Sequence, residues 1–267
     1  MIPAVMELRK TQALVIEAQW KALVESLREA SSLDNCIAIC DVSGSMGYIG
    51  AEYNKNNVYP ILPGISLSLI FAALGKPHFN AGFITFAAQS QLVQVDLTQS
   101  PDKQVILIDQ VGADANTDFR AVFLDFRCEE QSQTRRYDFV FSDMQFDSWQ
   151  EILDKPLIPW ETTYDVIERA YEKAGYQVPQ IVFWDLYASG KPKTVEVESD
   201  RKGVAMMNGF SPALLKVFIG EEEWEDADEF TPINLMKKTL LRKSFDGLVV
   251  VVNIWKCTRM QSVRCPR

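Results

Sequence analysis

Short apolar runs recur along this chain with helix-like segments between them, and that alternation constrains the fold more than any other feature. The runs are Asn35–Asp41 (NCIAICD), Ala81–Ala87 (AGFITFA), Tyr137–Ser142 (YDFVFS), Gln180–Trp184 (QIVFW) and Gly247–Val252 (GLVVVV). Continuous apolar runs of this length match strands covered on both faces, the usual state of a parallel sheet. Helix-like stretches fall around 61–74, 101–110, 118–130, 162–174 and 231–242. Strands alternating with helices imply crossover connections. The run Gln91–Val95 (QLVQV), close behind AGFITFA, reads instead as an antiparallel edge hairpin. The predicted fold is therefore a three-layer α/β/α, doubly wound, mostly parallel sheet with one antiparallel edge strand, Rossmann-like in architecture.

Flanking segments complete the predicted organisation. Residues 7–30 carry Leu8, Leu14, Val15, Ala18, Leu23, Val24 and Leu27 at three-to-four-residue intervals among strong helix formers, without Gly or Pro. This is an amphipathic helix, belonging either to the domain or to the end of a preceding helical module. Residues 31–255 form the expected α/β domain. Residues 256–267 read as a disordered tail. No internal repeat or low-complexity linker divides the chain.

Composition narrows the function classes. With 47% hydrophobic residues over 267 positions, the chain buries a sizeable core. The formal charge of −9 argues against a surface built for phosphate backbones. Much of that charge is local: Glu221, Glu222, Glu223, Glu225, Asp226, Asp228 and Glu229 form one run, read as a solvated loop. No basic stretch followed by an apolar one opens the sequence, and no apolar run approaches the roughly 20 residues of a membrane span. Five scattered cysteines (Cys36, Cys40, Cys128, Cys257 and Cys265) without CxxC spacing suit free thiols in a reducing, cytoplasmic setting.

In open α/β sheets, ligands bind beyond the carboxyl ends of the strands. Three sets of oxygen-bearing residues lie at such ends. Asp41-Val42-Ser43-Gly44-Ser45-Met46 alternates a carboxylate and two hydroxyls on the loop leaving the first strand. Asn116-Thr117-Asp118-Phe119 offers another hydroxyl just before a predicted helix, and Phe141-Ser142-Asp143-Met144 a second carboxylate. Hard cations such as Mg²⁺ favour oxygen ligands and retain waters. Hydroxyls are neutral, so an ion held by two serines stays electropositive enough to accept an outside carboxylate. Asp118, suited to favouring a helix start, and Asp185, ending QIVFWD, are peripheral candidates. Asp147 reads as a turn residue.

The spacing Asp41-x-Ser43-x-Ser45, with Thr117 and Asp143 following, resembles the metal-ion-dependent adhesion site of von Willebrand factor A domains. More narrowly, CDVSGSM, NTDFRAVF, FVFSDMQFD, PQIVFWDL and MNGFSPALLKVF are similar to the C-terminal A-like domain of a eukaryotic protein family. There the domain follows a helical region similar to the TROVE module of Ro ribonucleoproteins. The likeness covers roughly residues 15–252. The long TROVE-like region is absent from this sequence, and WKCTRMQSVRCPR at its end matches no part of the family pattern.

The resemblance implies direct ligation of a divalent ion (Mg²⁺, or Mn²⁺ or Ca²⁺) by Ser43 and Ser45, and by Thr117 when a partner is bound. It implies that Asp41 and Asp143 act mostly through water or by orienting the ligands, with Asp143 a direct ligand when no partner is present. The expected function is a noncatalytic binding module presenting the ion to an acidic residue of a protein partner. Two alternatives stand beside it. One is a ribonucleoprotein component in which this domain supports RNA binding by a region missing from the chain. The other is a Mg²⁺-dependent phosphohydrolase built on Asp41, against which the serine at position 43 counts, since that chemistry wants a second aspartate there. Other enzyme classes lack their parts. His78 is the sole histidine, no GxSxG surrounds Ser43 or Ser45, Gly75-Lys76-Pro77 lacks the phosphate-loop pattern, and no Cys/His cluster has zinc spacing.

Overall fold

The computed structural model describes residues 2–30, 33, 35–48, 59–76, 80–87, 90–101, 103–105, 122–123, 137–144, 163–186, 202–209, 215 and 231–240. Strands β1 (Cys36–Asp41), β2 (Gly82–Phe86), β3 (Ser90–Gln94), β4 (Tyr137–Ser142), β5 (Gln180–Asp185) and β6 (Val204–Asn208) form one sheet. Among the described residues the helices are α1 (Ile2–Ala30), α2 (Ile61–Leu74), α3 (Thr163–Ala174) and α4 (Pro232–Leu240). A 3₁₀ turn, Gly44–Met46, follows β1.

The strands lie in the order β3-β2-β1-β4-β5-β6. All neighbours pair in parallel except β2 with β3, which run antiparallel through Phe83↔Val93 and Ile84↔Leu92. The sheet is thus mostly parallel, with a single antiparallel edge strand where the QLVQV hairpin is predicted. Strand β6 is not among the predicted strands. The predicted strand at 247–252 lies outside the described residues.

Alternating residues of each central strand enter two separate cores, as period-two geometry requires of a sheet covered on both faces. On one face, Ala38, Cys40, Phe139, Phe141, Val182 and Trp184 pack under α2 and the end of α1. On the other, Ile37, Ile39, Ile84, Val140, Ile181 and Phe183 meet Val122 and Phe123, both helical, and Ile167 and Tyr171 of α3. These are the three layers of the predicted fold.

Helix α2 is apolar on nearly every side, and ten of its fourteen residues are buried, as expected of a helix sunk into a core. Gly64 brings it close to β1. A Cβ at that position would meet Leu186 Cδ1 at 3.2 Å and both Cys40 Sγ and Met46 Cε at 3.4 Å. Helix α1 behaves differently along its length. Val24 and Leu27 are buried, and Arg28 Nη2 donates to the Ala73 carbonyl at 3.2 Å. Leu14, Val15 and Ile16, by contrast, are exposed. Over residues 11–30 the predicted apolar stripe therefore docks through its C-terminal turns, where α2 is near enough to cover it. No described helix is long and apolar enough to cross a membrane.

Candidate metal centre

The carboxyl ends of β1 and β4, adjacent in the sheet, bring four of the predicted site residues to one rim. Asp41 is the last residue of β1 and is fully buried. The chain then leaves the strand, but the Val42 amide still donates to the Phe86 carbonyl of β2 at 3.0 Å, so the loop starts from a fixed point. Asp41 Oδ1 accepts from the Ser43 amide at 2.9 Å, closing an Asx turn. The Met46 amide donates to the Ser43 carbonyl at 3.1 Å, and the Met46 side chain is buried, which anchors the loop from below.

In this turn the Ser43 and Ser45 hydroxyl oxygens lie 3.1 Å apart. Ser43 is buried, whereas Ser45 faces solvent. Gly47 ends the turn with φ at 90°, and a Cβ there would run into the Tyr59 ring. Only glycine fits both the left-handed backbone and the space.

The second carboxylate comes from the neighbouring strand end. Asp143 follows β4 and is 5% exposed. Ser142, immediately before it, donates its hydroxyl proton to Asp41 Oδ2 at 2.6 Å and accepts from the Met144 amide at 2.9 Å. Met144 is buried and has φ at 61°, an uncommon left-handed backbone for an unbranched apolar residue. Burial pushes the Asp41 carboxyl up to about 6, against the lowering effect of its bonds from Ser142 and Ser43. The negative charge of Asp143 raises it further, so the two carboxylates feel each other.

This donor set fits a small hard cation. Octahedral Mg²⁺ sites place oxygens at roughly 2.0–2.1 Å from the ion, so neighbouring ligand atoms lie about 3 Å apart. The Ser43–Ser45 oxygen pair matches that edge at 3.1 Å. A cation beside them would offset the mutual repulsion of Asp41 and Asp143. Among the described residues no group of three or more His, Cys, Asp or Glu side chains could hold a metal, and the donors at this rim are two hydroxyls and two carboxylates.

The remaining candidates stand further off or beyond view. Asp185 ends β5 and is buried, with Oδ2 accepting from Asn208 Nδ2 of β6 at 2.9 Å. It lies two strands from Asp41, a separation of about 10 Å, which leaves it peripheral. Thr117 and Asp118 lie outside the described residues, as do His78 and Asp147. Ser142 and Asn208 were not singled out from the sequence. Ser142 carries a readable signal, a hydroxyl at a strand end next to a candidate carboxylate, while Asn208 ends β6, which is not among the predicted strands.

Fold and site together define a mostly parallel α/β domain with an oxygen-rich loop cluster at the carboxyl edge of its sheet. The chain belongs to the family described as a domain of unknown function, DUF7788, which it matches over residues 35–250. It is 24% identical over 232 residues to uncharacterized protein L728 of Acanthamoeba polyphaga mimivirus, covering 85% of this chain and 36% of that protein. The crystal structure of the Deinococcus radiodurans RO (RSR) protein aligns with 71% of this chain and 34% of that one, at 19% identity and a TM-score of 0.44. The chain therefore spans about a third of the length of either.

Proposed function

We propose that this domain is a noncatalytic binding module whose ligand contact is a divalent cation, Mg²⁺ first, with Mn²⁺ or Ca²⁺ as substitutes. Ser43 and Ser45 would hold the ion through their hydroxyls, with Thr117 joining from a third loop. Asp41 and Asp143 would stand behind them, orienting hydroxyls and waters. Bound there, the ion would supply an electropositive position for an acidic side chain of a protein partner, as in the adhesion site that the Asp41-x-Ser43-x-Ser45 pattern resembles.

The observation that carries this reading is the hydroxyl pair, 3.1 Å apart, beside two interacting buried carboxylates. Against a phosphohydrolase stands the engagement of Asp41. Both of its oxygens accept hydrogen bonds and the side chain is fully buried, which turns it toward the loop rather than outward as a nucleophile. The net charge of −9 likewise favours a protein partner over a nucleic acid.

The test is capture of partners on immobilised protein in Mg²⁺ and in EDTA, with a Ser43→Ala/Ser45→Ala variant as control. A partner held by the native protein only in Mg²⁺, and lost from the variant, is the expected result. The same set bound in all three conditions would contradict the proposal.

A further inference from the structure

We propose that Ser142 is the positioning residue of this cation site, coupling the loop after β1 to the loop after β4 without itself touching the ion. The inference rests on the metal-binding reading above and adds a residue that acts through Asp41 and Asp143.

A serine hydroxyl has one proton to give and two lone pairs. The proton is directed at Asp41 Oδ2, 2.6 Å away, and one lone pair takes the Met144 amide at 2.9 Å. Ser142 is fully buried among these partners, so its oxygen is committed inward. Asp143 is the residue between the two ends of the Ser142–Met144 bond, so that bond closes a tight turn directly over it. Met144, which follows, adopts φ 61°, a conformation that persists only where the surroundings enforce it. The Met144 side chain is fully buried and its amide is held by Ser142. The Ser142 carbonyl accepts from the Leu186 amide at 2.9 Å, and Ser142 stands in register with Asp185, which in turn holds Asn208. One hydroxyl thus fixes the rotamer of Asp41 and the backbone beneath Asp143, from a position braced by β5.

Removing the hydroxyl would take one of the two described hydrogen bonds from Asp41 and the bond that spans Asp143. In metal sites, loss of a group that orients the ligands weakens affinity by about 10- to 100-fold. Ser142→Ala is expected to lose Mg²⁺ affinity by that factor, whereas Ser142→Thr, which keeps the hydroxyl, stays within about threefold of the native protein. Should the alanine variant fail to fold, Ser142→Cys serves in its place, because its thiol is a weaker donor of similar size.

Affinity is read by calorimetric titration of the folded proteins with Mg²⁺ alone, and the midpoint of thermal unfolding is compared in Mg²⁺ and in EDTA. A residue that only stabilises the fold would lower the midpoint in EDTA and leave the Mg²⁺ affinity unchanged. Native-like affinity in the alanine or cysteine variant would therefore overturn the assignment of Ser142 alone. Loss in the threonine variant as deep as in alanine would also overturn it, because the hydroxyl would not be the cause. Absence of Mg²⁺ binding by the native protein would overturn the metal reading and this inference with it.

Discussion

The Ser142 hydroxyl lies 2.6 Å from Asp41 Oδ2, joining two strand ends that are 101 residues apart in the chain. This bond, with the one from the Ser43 amide, holds a fully buried carboxylate at the centre of the rim. The consequences for stability and binding can be measured separately.

Without metal, Asp41 should make the fold sensitive to pH. Its carboxyl titrates near 6 in the folded chain, mainly because of burial, against an ordinary 3.8. Between those values the folded state binds more protons than the unfolded state, so this group lowers stability as pH rises through the window and has no further effect above it. A shift of this size corresponds to roughly 3 kcal/mol. Urea unfolding in EDTA at pH 4 and pH 7 should show most of this loss in the native protein and its absence in Asp41→Asn. A native-minus-variant difference that does not change with pH would contradict it.

Gly47→Ala should unfold more readily and hold the Ser43–Ser45 turn less well. The left-handed backbone costs of order 1–3 kcal/mol for a residue with a side chain, and the collision with Tyr59 adds to it. Chemical denaturation gives the stability change, and a variant as stable as the native protein would refute the packing described for this turn.

Between residues 11 and 30, helix α1 should respond to mutation mainly near its C-terminal end. Leu27 is 1% exposed, so Leu27→Ala should cost about 2–5 kcal/mol. Leu14 is 67% exposed, and Leu14→Ser should stay within about 0.5 kcal/mol of native. Equal costs at the two positions would contradict the one-ended docking.

Cys36 and Cys40 should resist alkylation in the native protein. Both are buried, and burial pushes Cys40 up to about 12, so little Cys40 thiolate exists at neutral pH. Mass-spectrometric mapping after brief iodoacetamide treatment at pH 8 should find both unlabelled until denaturant is added. Rapid native labelling of Cys40 would show that β1 is not the closed central strand described.

Elements set by local physics are legible in the sequence. An uninterrupted apolar run makes α2 legible over 61–74, and CIAICD marks β1 with its terminal carboxylate. Asp41, Ser43 and Ser45 share one turn, so their convergence follows from spacing alone. Strand β6 escaped because Val-Ala-Met-Met-Asn has a single β-branched residue and follows a charged stretch. Periodicity shows which residues of α1 share a face, but not how far a neighbour reaches along it. The role of Ser142 was hidden for a similar reason, since its partner becomes adjacent only when β4 pairs with β1. Fold class is therefore written in pattern, while the bonds that orient the site are written in register.

The central claim is that the turn after β1 binds a divalent cation through its two serines. Calorimetric titration of Mg²⁺ into the native chain and into Ser43→Ala/Ser45→Ala tests it most directly. Saturable binding by the native protein, weakened about tenfold or more in the variant, is the expected result. Equal binding by both, or no binding by the native protein, would contradict it.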